Sequence, residues 1–268
     1  MLEYIKALIL GIVEGITEWL PVSSTGHMIL VNEFMENSGF TAQSLFLYVI
    51  QLGAILAVVT LYFKKLNPFS PSKTKEEKKG TWDMWFKVVA ACIPAGVIGL
   101  LFNDFMEQFE NWQIVSATLI LYGIAFIIVE NIQKKEKVTT ISEMSYKTAL
   151  IIGAFQVLSI IPGTSRSGST ILGGMAVGTS RSLAAEFSFF LAIPIMFGVS
   201  FLKIITYEGV LSGQDIAVLI TGMVCAYVIS LLAIKFLVNF VKKHDFKAFG
   251  WYRMALGVVV IAYFTLIK

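Results

Sequence analysis

Six apolar runs, near residues 43–63, 83–103, 113–131, 182–204, 214–238 and 249–267, are each long enough to cross a bilayer. A spanning helix needs roughly 17–25 predominantly apolar residues. Backbone in lipid has no water to bond, so such runs fold as helices or as closed barrels, and runs of this length are helical. Composition agrees: 56% of the 268 residues are hydrophobic, 15% are charged and the mean hydropathy is +0.76. A soluble domain carries about 25% charged residues, so a soluble enzyme with one anchor is excluded. The chain is expected to be an all-α polytopic membrane protein forming a single integral domain over residues 1–268. No basic n-region with a small-residue cleavage site opens it, so no removable signal peptide is expected. The formal charge of +3 is small, and no nucleic-acid partner is expected. Cys92 and Cys225 fall inside apolar runs without metal-ligand spacing and read as small hydrophobes.

Four further apolar stretches are too short or too polar to span alone. Residues 3–20 hold Glu14 and Glu18 and end at Pro21; 24–35 is brief; 147–161 ends at Pro162; 166–178 is Gly-rich. Each pair reads as a helix that enters the membrane, breaks at a Pro-containing polar turn and leaves as a short helix. Irregular backbone at that depth is tolerated only where protein or a wet cavity satisfies it. Residues 1–35 and 147–180 are therefore expected to form two re-entrant helical hairpins beside the six transmembrane helices.

The two hairpins resemble each other. Adding 142 to a position in the first brings Gly11 onto Gly153, Glu14 onto Gln156, Thr17 onto Ser159, Ser23 onto Ser165 and Gly26 onto Gly168, without a gap. Loop charge orients them. The loops 64–80, 132–147 and 239–248 are rich in lysine (Lys64, Lys65, Lys73, Lys75, Lys78 and Lys79 in the first; Lys134, Lys135, Lys137 and Lys147 in the second; Lys242, Lys243 and Lys247 in the third). The loop 104–112 carries Asp104, Glu107 and Glu110 with no base, and 205–213 carries only Glu208. The positive-inside rule places the basic loops in the cytoplasm, and both termini then lie outside. Each half, about 1–131 and 145–268, has an odd number of crossings, so the two repeats are expected to be inverted. Inverted repeats put a shared site near the midplane, where broken helix ends converge.

Ionisable groups in such segments are costly in lipid and mark function by default. Glu14 and Glu18 stand four apart and share one helix face, where like charges repel. Two carboxylates there call for a cation, either a basic side chain or a hard metal such as Mg²⁺ or Ca²⁺ with substrate phosphate completing the shell. Ser23-Ser24-Thr25-Gly26-His27 opens the next short helix. One hydroxyl suffices for an N-cap; three with a histidine exceed that need. A helix N-terminus binds phosphate through free amides, and a hydroxyl with a histidine in reach is a minimal nucleophile and base. Gly163-Thr164-Ser165-Arg166-Ser167-Gly168-Ser169-Thr170 joins flexible backbone, five hydroxyls and a guanidinium able to fork onto phosphate. The halves are unequal: Glu14 and Glu18 face Gln156 and Ile160, and Ser24 faces Arg166. One hairpin would handle cation and proton chemistry while the other holds phosphate.

Glu14-x-x-x-Glu18 followed by Pro21-Val-Ser-Ser-Thr-Gly-His27, with Pro162-Gly-Thr-Ser-Arg-Ser-Gly168, resembles the undecaprenyl-diphosphate phosphatase (bacitracin-resistance) family. Gln51-Leu-Gly-Ala54 and Arg181-x-x-Ala-Ala-Glu-Phe-Ser-Phe189 extend the likeness over nearly the whole chain. The resemblance implies hydrolysis of undecaprenyl diphosphate in the bacterial plasma membrane, recycling the lipid carrier of wall synthesis. Bacitracin resistance follows, because that drug sequesters the lipid diphosphate. It further implies a divalent cation (Mg²⁺ or Ca²⁺), an active site open to the extracytoplasmic side, and a homodimer. Family roles fall on Glu14, Glu18, Ser24, His27 and Arg166, with Glu14 and Glu18 as metal ligands. Ser23, Thr25, Gly163, Thr164, Ser165, Ser167 and Thr170 are expected to contact substrate.

Two other classes compete. Inverted repeats with midplane hairpins also build carriers and lipid flippases, which need no hydroxyl–histidine cluster facing an Arg-Ser-Gly loop. A non-catalytic scaffold would leave the buried charges without a role. Pro94 and Pro194 are expected to kink spans, and Trp82, Trp85, Trp112 and Trp251 to sit in an aromatic belt. Glu33 and Glu186 have no single reading.

Overall fold

The computed structural model describes residues 1–34, 43–109, 111–132 and 136–267. Its helices are α1 (Leu2–Thr17), α2 (Ser24–Phe34), α3 (Gln43–Leu66), α4 (Lys75–Glu107), α5 (Trp112–Ile132), α6 (Tyr146–Val157, continued by a 3₁₀ turn Leu158–Ile160), α7 (Arg166–Ala176), α8 (Arg181–Ile205), α9 (Gly213–Val241) and α10 (Lys247–Leu266). The described residues hold no strand, only an isolated bridge between Val138 and Thr179. Six helices are long and apolar enough to cross a membrane: α3, α4, α5, α8, α9 and α10. They coincide with the six apolar runs. The other helices are short. At ~1.5 Å per residue, the 16 residues of α1 reach about 24 Å, short of a hydrocarbon core of about 30 Å.

The basic loop after α3 is shorter than hydropathy suggests. Lys64 and Lys65 belong to the last turn of α3, and Lys75, Lys78 and Lys79 to the start of α4. A capping box sets that start: Thr74 Oγ1 accepts from the Glu77 amide at 3.2 Å, and Glu77 Oε2 accepts from the Thr74 amide at 2.7 Å. The side chains of Glu33, Asp104 and Glu107, and residues Glu110, Lys134 and Lys135, lie outside the described part.

The short helices α1 and α6 lie along long ones, α1 on α9 and α6 on α4, while α3 packs on both α8 and α9 and α5 runs along α10. Glycines allow the close approach. A Cβ on Gly11 would stand 2.8 Å from the Gly222 carbonyl oxygen of α9, and one on Gly153 would stand 2.1 Å from that of Ala91 in α4. These two glycines are the pair related by the 142-residue offset. Pro94 and Pro194 lie inside α4 and α8. Trp82 and Trp251 are exposed, as a belt requires, but Trp85 is half-buried and donates its indole N–H to the Leu66 carbonyl at 2.8 Å.

Ion pairs fasten the helix ends. Lys65 of α3 pairs with Glu186 of α8, which gives Glu186 its role. Arg181 opens α8 and grips Glu130 of α5 with Nε and Nη2 at 2.6–3.2 Å, and Glu130 Oε1 also accepts the Phe246 amide at 2.7 Å.

Candidate active site

The turn after α1 and the turn before α7 have the same unusual backbone. Ser23 has φ 73° and Ser165 has φ 71°, the only non-glycine residues of the described chain with positive φ. Such a conformation costs an L-residue roughly 1–3 kcal/mol and persists only where its surroundings fix it. Each serine caps the helix that follows: Ser23 Oγ accepts from the Gly26 amide at 3.2 Å, and Ser165 Oγ from the Gly168 amide at 3.1 Å. Gly163 is also at positive φ (86°), and a Cβ there would stand 2.2 Å from Thr118 Oγ1. Ser165→Ala keeps the backbone strain and loses the cap, whereas Ser165→Gly loses the cap but relieves the strain. The alanine variant is therefore expected to be the less stable by about 1 kcal/mol. Melting temperatures of the two proteins in one detergent check this; equal values would mean the strain is not there.

The turns meet. Arg166, at the start of α7, reaches across to Glu18 at the end of α1, with Nη2 2.8 Å from Oε1. Its Nη1 donates to the Ser188 carbonyl of α8 at 2.7 Å and lies 3.3 Å from Ser188 Oγ. The guanidinium sits 5.5 Å from the centre of the Trp19 ring, itself wedged edge-on against Phe189 at 5.6 Å. Arg166 Nε is buried and has no hydrogen-bond partner among the described residues. Ser24 Oγ donates to the second oxygen of Glu18 at 3.4 Å. One carboxylate thus touches both the guanidinium of one segment and the hydroxyl of the other. Glu14 is 3% exposed, and its Oε1 is buried with no partner.

His27 is oriented differently from the expected serine–histidine pair. Its Nδ1 donates to the Ser23 carbonyl at 2.7 Å, and its Nε2 meets the Tyr252 hydroxyl of α10 at 2.6 Å with the two rings nearly parallel. The carbonyl can only accept, so Nδ1 carries a proton. The base in hydrogen-bond contact with Ser24 is therefore Glu18.

Several expected substrate ligands make bonds within the scaffold. Thr164 Oγ1 lies 2.8 Å from the carbonyls of both Leu158 and Ile161. Thr170 Oγ1 lies near the Arg166 and Ser167 carbonyls and 2.7 Å from Ser188 Oγ. Ser167 Oγ donates to the Leu20 carbonyl at 3.2 Å, tying one turn to the other. Thr25 makes no side-chain hydrogen bond among the described residues and is half-buried. The first amides of α2 and α7 lack intrahelical acceptors, as at any helix N-terminus, and suit an anion. Sequence reasoning missed Trp19, Ser188, Tyr252 and Arg253. Arg253 offered a signal, being a cation inside an apolar run.

The residues fit a divalent cation in one respect. Glu14 offers a buried, unpartnered carboxylate oxygen close to Glu18. Among the described residues no three His, Cys, Asp or Glu side chains gather as a ligand set. Substrate oxygens and water would have to complete the shell, as Mg²⁺ sites commonly allow.

Fold and site together define a polytopic helical membrane protein in which two polar turns join a carboxylate at the end of one helix to a hydroxyl and a guanidinium at the starts of two others, the furniture of a phosphate site. The chain belongs to the family described as "Bacitracin resistance protein BacA", whose model matches residues 7–259. It is 57% identical over 265 residues to the undecaprenyl-diphosphatase of Enterococcus faecalis, covering 96% of each chain. It is 55% identical over 276 residues to that of Lactiplantibacillus plantarum, covering 100% of each. The undecaprenyl-diphosphatase of Desulfitobacterium hafniense is 54% identical over 270 residues, 99% of this chain and 97% of the relative.

Proposed function

We propose that this chain is an undecaprenyl-diphosphatase. It hydrolyses undecaprenyl diphosphate to undecaprenyl phosphate and inorganic phosphate, recycles the lipid carrier for peptidoglycan synthesis and confers bacitracin resistance. The observation that carries the reading is the contact of Glu18 with both Arg166 and Ser24. It supplies a phosphate grip, a nucleophile and a base at one point of an otherwise apolar protein. The family and its named relatives support the same activity and disfavour a carrier.

Phosphoryl transfer asks for positioning and charge neutralisation more than for covalent work by the protein. Arg166 and the α7 amides hold the terminal phosphate. Ser24 Oγ attacks its phosphorus, the P–O bond to the lipid phosphate breaks, and the serine proton passes to Glu18. Water then cleaves the phosphoserine and releases inorganic phosphate. Mg²⁺ or Ca²⁺ held by Glu14 and Glu18 would neutralise charge on the leaving lipid phosphate. Ser24→Ala is expected to lower turnover by at least about a hundredfold; a rate near wild type would assign the attack to water.

The same reading places the protein in the bacterial plasma membrane with the site facing outward. The lysines at the end of α3 and the start of α4, with Lys242, Lys243 and Lys247 between α9 and α10, support that orientation. The short α1–α2 and α6–α7 pairs act as re-entrant hairpins of two inverted repeats, supported by their matched serine turns and matched helix packing. A homodimer is the working unit implied by the resemblance. The test of function is inorganic phosphate release from a prenyl diphosphate by purified protein in detergent, where no gradient can exist. Chelation by EDTA should suppress release and added Mg²⁺ or Ca²⁺ restore it. A carrier would release no phosphate in that assay and would instead show ion-driven uptake in liposomes.

A further inference from the structure

Arg253 of α10 is fully buried. Its Nη1 donates to the Pro21 carbonyl at 3.2 Å, and its Nη2 donates to the carbonyls of Gly163 at 2.9 Å and Thr164 at 3.1 Å. The guanidinium lies 5.3 Å from the centre of the Tyr122 ring of α5. No carboxylate pairs with it among the described ion pairs. A buried cation without a counter-ion is costly, and a membrane protein holds one only where it has work.

The acceptors reveal that work. All three carbonyls belong to the turns where the short helices are broken, so they have lost the amide donors a continuous helix would give them. One lies on the first turn, three residues after Glu18 and three before Ser24. The other two lie on the second turn, two and three residues before Arg166. A single planar fork therefore reaches both turns at once, with the Tyr122 ring beneath it. Tyr122 is itself tied to α7, because Ser169 Oγ donates to its hydroxyl at 3.2 Å. Fixing the Gly163 and Thr164 carbonyls towards Arg253 also turns the amides of the following residues, Thr164 and Ser165, away from it, since each peptide is planar and trans.

We infer that Arg253 is a positioning residue: it locks the two polar turns in the register that brings Ser24 and Glu18 to Arg166, and it does not itself touch substrate. This rests on the hydrolase reading above, and wild-type phosphate release serves as its control. An ammonium keeps the charge but presents one compact donor group in place of a rigid fork. Arg253→Lys should therefore fold, yet lose alignment of the reacting groups. Misplacement of catalytic groups by about 1 Å can cost roughly a hundredfold.

The experiment measures kcat and KM for phosphate release by wild type, Arg253→Lys and Arg253→Met, each corrected for the folded fraction from size exclusion and thermal unfolding in the same detergent. Arg253→Lys is expected to lower kcat at least tenfold while KM changes less than threefold, with Arg253→Met lower still. Tyr122→Leu, which loosens the guanidinium without removing it, should cost kcat several-fold and covers the case in which neither arginine variant folds. A folded Arg253→Lys or Tyr122→Leu protein with wild-type kcat overturns the inference. So does a loss that follows the folded fraction alone or that appears only in KM. No release by wild type would instead sink the hydrolase reading and leave the geometry of the turns standing.

Discussion

Arg166→Ala is expected to lower phosphate release by about a hundredfold to a thousandfold, the scale seen when a preorganised charge-stabilising donor is removed from an active site. Arg166 touches Glu18, Ser188 and the face of Trp19, so its guanidinium is held before any ligand arrives. Truncation removes the guanidinium proposed to grip phosphate and also leaves Glu18, which is 8% exposed, without its cation. Arg166→Lys should recover little, because an ammonium cannot serve the carboxylate, the Ser188 carbonyl and a phosphate oxygen in one plane. The measurement is kcat/KM for prenyl diphosphate hydrolysis. A variant altered only mildly in KM would show that the phosphate is held elsewhere.

The second large effect falls on stability. Arg181→Ala leaves the Glu130 carboxylate, 1% exposed at its side chain, with only the Phe246 amide as donor. Breaking a buried pair from one side costs about 3–5 kcal/mol. Arg181 is one-third exposed, so solvent screens part of the pair and the lower end of that range is expected. Adding Glu130→Gln to Arg181→Ala removes the stranded charge and should restore part of the loss. Thermal unfolding in detergent reads both steps. Turnover per folded molecule should stay near wild type, since Arg181 precedes Ser188 by two turns of α8, about 10 Å along the helix. A double variant less stable than Arg181→Ala would mean that the carboxylate is not stranded.

The spans were legible because lipid imposes one rule on every residue: a long apolar run has few alternatives. The polar turns were legible too, since Glu14, Glu18, Arg166 and the serines are out of place in such runs. The offset between Ser23 and Ser165 even marked the two residues forced to positive φ, although nothing in the sequence gives the angle. Partner choice was not legible. His27 stands three residues after Ser24 yet bonds the Ser23 carbonyl and Tyr252, and Tyr252 is 225 positions away. Arg181 shares a helix with Glu186 but pairs with Glu130 of α5, leaving Glu186 to Lys65. Such choices depend on which helix faces lie together, and periodicity does not specify that between helices that are apolar nearly all round. Thr164 and Thr170 show the same limit from the other side: hydroxyls that suit a ligand by type bond backbone carbonyls by position, Thr164 those of the turn and Thr170 those of its own helix.

The central claim is that residues from two distant segments form one site through the Glu18–Arg166 contact. A double-mutant cycle of Glu18→Gln, Arg166→Gln and both together, read as thermal unfolding of each protein in one detergent at one heating rate, tests it most directly. Each single variant strands a buried charge, so each should melt well below wild type. The double variant strands none and should melt no lower than the worse single, a coupling of about 1–3 kcal/mol. Losses that simply add would contradict the account, because they would place Glu18 and Arg166 in separate environments.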